Sequence, residues 1–276
     1  MNVFKSTEGR EKIRKFYNQI LSLFPIKQKY VNTTFGKTFV LEMGNEKNTP
    51  IILLHGSCSN SASWLGDMAT LAEHYHVFAV DTLGEPGNSD AIRLDINTND
   101  YPNWLKEVLD ALKIEKAVIA GNSLGGWLAL HFSVMYSERT IVLVLLASSG
   151  IIPPKQSFIH QTADITSNTD SAKATIKEVM GGTHVPKEVL EFMNLVMENF
   201  NPITEELPIL KDKEMLLLTM PVLYIAGTND VTMDTRKAAS RLIHLLPHIH
   251  ICLTENEHVI TSAAKTIISF LSNELK

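Results

Sequence analysis

Ser123 stands where a serine could attack. In Gly121-Asn122-Ser123-Leu124-Gly125 the pattern is G-x-S-x-G, set between the apolar run AVIA and the helical run LALHFSVMY. Such a pattern needs a strand that turns sharply into a helix with the serine at the bend. Flanking glycines remove the Cβ atoms that would collide in so tight a turn. The helix N-terminus behind the serine points backbone N–H groups toward developing negative charge. The implied chemistry is attack by a hydroxyl on a centre that becomes an oxyanion. A chain of this length shows the pattern by chance roughly one time in ten, so its placement between a strand and a helix carries the argument.

A serine hydroxyl is a weak nucleophile without a base, and the base needs an acid to orient it. PVLYIAGTNDVTM places Asp230 just beyond one β-rich run, and HICLTENEHVI places His258 beyond the next. The order serine, acid, histidine is the one this strand-turn-helix arrangement uses. Of the 10 histidines, His74 and His76 straddle a helix end and a strand start, His131 lies inside a helix, and His244 lies near the end of another. His160 and His184 fall in a long inserted segment. His248 and His250 share one face of a strand with no third metal ligand nearby, so they read as solvent-facing. His258 follows the last strand at the end of the sheet where the serine is expected.

Among the acids, Asp234 fits the N-cap of the helical run TRKAASRL. Glu257 adjoins His258 in sequence and reaches its Nδ1 awkwardly, and the strand end LLASSGII carries no carboxylate. Asp230 is the choice that remains. Two backbone N–H groups would complete the site as oxyanion donors: that of Leu124, and that of Ser57 in the loop HGSCSNSASW at 55–64. Small residues let that loop approach a substrate closely. Cys58, with no base assigned to it, reads as a small loop residue. Trp64 and Trp127 are candidate apolar contacts for a substrate.

These residues need a scaffold of alternating strands and helices. KYVNTT and TFVLEM read as a hairpin around Gly36; PIILLH, HVFAVD, KAVIAG, TIVLVLLA, PVLYIAG and HIHICLT are further short β-rich runs. Between them lie the helical patterns SWLGDMATLAEHY, DYPNWLKEVLDALK, LGGWLALHFSVMY, TRKAASRLIHLL and SAAKTIISFLSNEL. That alternation predicts an α/β fold, a mostly parallel twisted sheet with helices on both faces. The rhythm breaks over 151–210, where IIPPKQ opens a segment of helical stretches, SAKATIKEVM and PKEVLEFMNLVMENF among them. It follows a strand end, where such sheets place their ligand crevices. The expected organisation is a core in two parts, 1–150 with an N-terminal helix and 211–276, with 151–210 as a helical cap over the site.

Composition narrows the function classes. With 276 residues and 45% hydrophobic side chains the chain can bury a sizeable core. Its net charge of -5, without a basic stripe, argues against nucleic acid as a partner. The N-terminal run carries Ile13, Phe16, Tyr17, Ile20 and Leu21 at helical spacing among charges, not the apolar stretch of a signal peptide. That helix is expected to pack on the body of the protein and not on a membrane. The 2 cysteines, Cys58 and Cys252, are too few for a disulfide framework. A cytoplasmic protein with no membrane partner is expected.

HGSCSNSASW, VDTLGEPGNSD, GNSLGGW, GTND and NEHV together resemble the α/β-hydrolase superfamily over nearly the whole chain. The stretch FPIKQKYVNTTFGKTFVLEMG is similar to that of bacilli-type carboxylesterases. One departure stands out: relatives often show D-x-x-G-x-G-x-S, whereas Asp81 here begins D-x-x-G-x-x-G-x-S through Gly84, Gly87 and Ser89. The resemblance implies a serine hydrolase of small carboxylic esters in which Ser123 attacks, His258 moves the proton, Asp230 orients the imidazole, and no metal or organic cofactor is needed. Two other outcomes share these residues: a ligand-sensing or signalling protein that retains the triad, and a hydrolase of C–C bonds or lactones. Oligomeric state is not encoded in any of these motifs.

Overall fold

The alternation of side chains along each strand decides the layers. In the computed structural model, which describes residues 2–159, 178–179, 185–260 and 262–275, eight strands form one sheet in the order β1-β2-β4-β3-β5-β6-β7-β8. They are β1 (Lys27–Thr33), β2 (Gly36–Met43), β3 (Pro50–Leu54), β4 (His76–Val80), β5 (Ala117–Asn122), β6 (Thr140–Leu146), β7 (Val222–Gly227) and β8 (Ile249–Thr254). The hairpin β1–β2 runs antiparallel and β2 is antiparallel to β4, while β4, β3, β5, β6, β7 and β8 are mutually parallel. The sheet expected from the pattern of β-rich runs is the one observed.

Helices cover both faces. The helices are α1 (Thr7–Leu21), α2 (Leu65–Ala72), α3 (Asp100–Ala111), α4 (Leu124–Met135), α5 (Lys187–Asn199), the short α6 (Asp212–Met215), α7 (Thr235–Leu245) and α8 (Ala264–Glu274). Ile52 and Leu54 of β3, Leu143 and Leu145 of β6, and Val222 and Tyr224 of β7 face α3, α4 and α7 through Trp104, Leu105, Leu128, Phe132 and Leu242. Their neighbours Ile51, Leu53, Val144, Leu223 and Ile225 face the other way, onto Met68, Leu71, Ile267 and Leu271 of α2 and α8. Both faces are therefore apolar, which is why these strands read as continuous hydrophobic runs. Each fully buried aliphatic side chain contributes about 1.5–3 kcal/mol.

Helix α1 begins where the Ser6 side chain accepts from the Gly9 N–H at 2.9 Å. Ile13, Tyr17 and Leu21 are buried on one stripe, so the helix packs on the body as its spacing predicts. Ile13 joins Val3 and Phe4 in a small cluster with Val196 and Phe200, at the end of α5. Between β6 and β7 the described residues hold α5 and α6 and no strand, apart from an isolated bridge between Phe4 and Phe200. The stretch SAKATIKEVM lies outside the described residues except for 178–179, as do His160 and His184.

The two ends of the 151–210 segment meet. The Leu210 N–H donates to the Gly150 carbonyl at 3.1 Å. Arg241 of α7 clasps the junction, donating to the carbonyls of Ile151 and Leu210 and to Asp212. The sheet thus continues from β6 to β7 as though the insertion were absent.

Candidate active site

Ser123 is the bend between β5 and α4, with φ 51° and ψ -111°. A non-glycine residue held in that region stores strain of about 1–3 kcal/mol, which persists only where the surroundings enforce it. Here the enforcement is visible. A Cβ on Gly121 would collide with the carbonyl of Gly125, and one on Gly125 would collide with the carbonyl of Leu54. The two glycines of G-x-S-x-G are thus required because helix, bend and the neighbouring strand touch backbone to backbone. The turn is further pinned by the Ser123 N–H, which donates to Leu146 at 2.9 Å, and by its carbonyl, which accepts from Trp127 at 2.9 Å.

The three residues singled out from distant parts of the chain meet at this bend. His258 Nε2 lies 2.9 Å from Ser123 Oγ, and His258 Nδ1 lies 2.8 Å from Asp230 Oδ2. Gly227 lets the last two loops close together, since a Cβ there would strike the carbonyls of Asn256 and Glu257. The other carboxylate oxygen, Oδ1, accepts from the Thr232 N–H and hydroxyl, both at 2.7 Å, and from the Met233 N–H at 3.2 Å. Burial works to raise the Asp230 carboxyl, but His258 and Thr232 outweigh it and hold the group below its ordinary value. It therefore stays ionised, able to keep the Nδ1 proton of His258 and leave Nε2 free to accept.

Thr232 was not singled out from the sequence, although an Asp followed two residues later by Thr is a local pattern for a side chain bonding its own turn. Lys155 was also missed. Its N–H donates to the Thr232 carbonyl at 2.8 Å and its ammonium to the Asp230 carbonyl, so the start of the inserted segment is fastened to the loop that carries the acid. Asp234 plays the part expected of it, accepting from the Lys237 N–H at 3.1 Å as the cap of α7.

The loop at 55–64 stands beside the serine. A Cβ on Gly56 would lie 3.5 Å from Cβ of Ser123, an ordinary contact. His55 braces the loop from below: the Thr82 N–H donates to its Nε2 at 3.0 Å, which leaves Nδ1 protonated to donate to the Gly56 carbonyl at 2.8 Å. Burial lowers the pKa of this imidazole and keeps it neutral. Cys58 has φ 58°, and burial, together with Glu85, pushes its thiol up to about 12. At neutral pH it is a thiol and not a thiolate, in keeping with a small loop residue.

Leu124 opens α4, so its N–H is among those that no carbonyl of the helix can reach. The two tryptophans lie in the core. Trp127 is 1% exposed and gives its indole N–H to the Pro208 carbonyl at 3.0 Å, which ties α4 to the chain returning from the insertion. Trp64 is 3% exposed and packs against α2 and the sheet. Its buried indole N–H has no hydrogen-bond partner among the described residues, and with Asn122, Val259 and Ile260 Trp64 lines a cleft of about 180 Å³ next to the bend.

Similarity to known proteins follows the same outline. The family profile described as alpha/beta hydrolase fold matches residues 49–171. The chain is 29% identical to an uncharacterized carboxylesterase, nap, of Bacillus subtilis over 92% of this chain and 88% of that one. It is 26% identical to carboxylesterase YbfK of the same organism over 99% and 98%. The crystal structure of that carboxylesterase, CesB (YbfK), superposes with a TM-score of 0.87 at 25% identity, covering 97% of this chain and 99% of that one. A 2-hydroxy-6-oxo-6-(2'-aminophenyl)hexa-2,4-dienoic acid hydrolase of Metapseudomonas resinovorans is 33% identical over only 45% of this chain. The matched profile spans the braced loop and the strained bend alike, and the likeness to the two esterases runs nearly end to end: the chain has the α/β-hydrolase fold and resembles the carboxylesterases of bacilli.

Proposed function

We propose that this chain is a serine hydrolase that cleaves small carboxylic esters through an acyl-enzyme intermediate. The observation that carries the reading is the unbroken series from Ser123 Oγ through the His258 ring to Asp230 Oδ2, at 2.9 Å and 2.8 Å. The near full-length likeness in sequence to carboxylesterases, against a partial match to the hexadienoic acid hydrolase, favours an ester as substrate.

In this mechanism the Ser123 hydroxyl gives its proton to His258 Nε2 as Oγ bonds to the ester carbonyl carbon. The carbonyl oxygen becomes an oxyanion and takes hydrogen bonds from the N–H groups of Ser57 and Leu124, each worth about 3 kcal/mol in the transition state. Asp230 stabilises the imidazolium. His258 then protonates the leaving alkoxide, and the acyl group stays on Oγ. Water, deprotonated by His258, attacks the acyl carbonyl, and collapse of that second intermediate releases the acid and restores Ser123. No step needs a metal or an organic cofactor.

Residues 151–210 form the cap in this reading, its two ends joined at Arg241 and its first turn fastened to the acid loop by Lys155. Cytoplasmic residence belongs to the same proposal; among the described residues no helix is long and apolar enough to cross a membrane.

The test is hydrolysis of a chain-length series of p-nitrophenyl esters by the wild type, Ser123→Ala and His258→Ala. Turnover in the wild type that both substitutions reduce by about 10⁴-fold or more is the expected result. Wild-type rates no faster than those of the variants would remove ester hydrolysis and favour the ligand-sensing alternative.

A further inference from the structure

The D-x-x-G-x-x-G-x-S loop, one residue longer than the form common among relatives, does something specific here. Its ends are anchored by Asp81, whose carboxylate accepts from the N–H groups of Ser61 and Asn88, both at 2.8 Å, and whose carbonyl accepts from the Ser89 hydroxyl at 2.7 Å. Its apex folds back on itself, with the Glu85 N–H bonded to the Thr82 carbonyl and the Gly87 N–H to the Glu85 carbonyl. The apex reaches the loop beside Ser123 at two points. Glu85 Oε2 accepts from the Cys58 N–H at 2.7 Å, and the Pro86 carbonyl accepts from the Asn60 side chain at 3.0 Å.

Glu85 is 1% exposed, an expensive place for a carboxyl whose second oxygen has no hydrogen-bond partner among the described residues. Cys58, which it holds, is a non-glycine residue at φ 58° directly after Ser57. A left-handed residue at that point turns the peptide planes on either side of it, and some outside group has to keep it there. Among the described residues, the Glu85 carboxyl is the group bonded to its N–H.

We infer that Glu85 is a positioning residue: by holding the Cys58 N–H it sets the Gly56–Cys58 turn so that the Ser57 N–H faces the oxyanion. The inference rests on the serine-hydrolase reading above. It assigns Glu85 no contact with substrate and no proton transfer. What it requires is an acceptor at Oε2, which a carboxylic acid, a carboxylate or an amide supplies equally well.

The experiment compares Glu85→Gln, Glu85→Ala and Glu85→Met, with Ser123→Ala run in parallel. Met fills the side-chain volume without offering a good acceptor, and so covers the case in which Ala unfolds the loop. Three readouts are taken: kcat and KM on a p-nitrophenyl ester, thermal unfolding, and the carbonyl stretch of an arylacryloyl acyl-enzyme by Raman difference spectroscopy. The expected result is a kcat some 10- to 100-fold lower in Glu85→Met with KM within about twofold, a carbonyl stretch moved to higher wavenumber, and most of both restored in Glu85→Gln. Wild-type kcat in Glu85→Met overturns the inference. So does a lowered kcat with an unmoved carbonyl stretch, because the damage then lies elsewhere than at the oxyanion donors. Full turnover in Ser123→Ala would sink the serine-hydrolase reading itself, and this inference with it.

Discussion

The hydroxyl oxygen of Thr232 lies 2.9 Å from Nδ1 of His258, while the same hydroxyl donates to Oδ1 of Asp230 at 2.7 Å. With its one proton engaged on the carboxylate, Thr232 can only accept from the imidazole. The Nδ1 proton is therefore shared between Asp230 Oδ2 and Thr232 Oγ1, and the ring is held by two acceptors in place of one. Thr232→Val removes both contacts and keeps the shape. Hydrogen bonds to charged groups are worth about 1.5–3 kcal/mol, so kcat for ester hydrolysis is expected to fall about 10-fold or more with little change in KM. The same variant carries a stability signature. Asp230 has a depressed folded-state pKa against an ordinary 3.8, so its contribution to stability is full above that pH and is lost as pH falls through the lower folded value. The destabilisation of Thr232→Val should be largest at neutral pH and shrink below about pH 4 in urea titrations.

Cys58 provides a chemical test of how closed the loop beside Ser123 is. Burial first, and the nearby Glu85 second, push its thiol up to about 12. At pH 8 the thiolate fraction is then of order 10⁻⁴, and the thiolate is the reactive form. Iodoacetamide should label Cys58 at least 100-fold more slowly in the native protein than in urea, with esterase activity unchanged over the same period. Mass spectrometry of the labelled peptide reads the first rate. Labelling of the native protein as fast as in urea would show that the thiol is open to solvent and ionised in the fold.

How far these arguments could be made from the sequence depends on where each partner lies. Strands β3 to β7 were legible because a strand covered on both faces shows as a nearly uninterrupted apolar run, and α2 and α3 because their apolar residues recur at helical spacing, while α4 is apolar nearly all round. Ser123, Asp230 and His258 were legible because each follows a strand end, where the topology delivers side chains to one edge of the sheet. Glu85 was visible only as a surplus residue in a loop, since its partner Cys58 is 27 positions away and bonds through a backbone N–H that any residue carries. Lys155 gave no signal for the same reason: it meets a carbonyl 75 positions on. Trp127 and Trp64 show the opposite limit. A large indole satisfies a core and a ligand pocket equally well, and only burial and the bond to Pro208 separate the two uses.

Glu85 also predicts an inverted pH dependence of stability. Burial pushes its carboxyl from an ordinary 4.5 up to about 8, against the smaller opposing effects of the Cys58 N–H and the Arg93 guanidinium, while Glu85 in turn helps to raise the Tyr101 phenol and the Cys58 thiol. A raised folded pKa means the folded protein binds the proton more tightly than the unfolded chain does. Stability from this site is therefore full below about pH 4.5 and declines as pH rises to about 8, beyond which the loss is complete. Glu85→Gln has no proton to lose. Its Tm should match the wild type near pH 4.5 and exceed it by several degrees at pH 8.5, each kcal/mol being worth about 2–4 °C in a chain of this size. Equal Tm differences at both pH values would mean that Glu85 is ionised in the fold throughout.

Two glycine substitutions separate the strained bend from ordinary helix propensity. A Cβ on Gly125 would meet the carbonyls of Leu54 and His55, which belong to β3 and to the loop beside Ser123, so neither can yield without moving the proposed oxyanion donors. Gly66 lies in α2 with nothing near its missing Cβ. Both changes add the same methyl group and remove the same freedom from the unfolded chain, a gain of about 0.4–1 kcal/mol. At Gly66 that gain stands, and Gly66→Ala should raise the urea midpoint with kcat unaltered. At Gly125 overpacking against backbone outweighs it by about 1–3 kcal/mol or more, so Gly125→Ala should lower the midpoint. It should also reduce kcat well beyond what the loss of folded protein explains, because the bend and the loop it touches shift together. Activity per folded molecule, measured at a temperature where both variants remain native, distinguishes this from simple destabilisation: a Gly125→Ala protein with wild-type kcat would show that the contact between bend and loop does not set the reacting geometry.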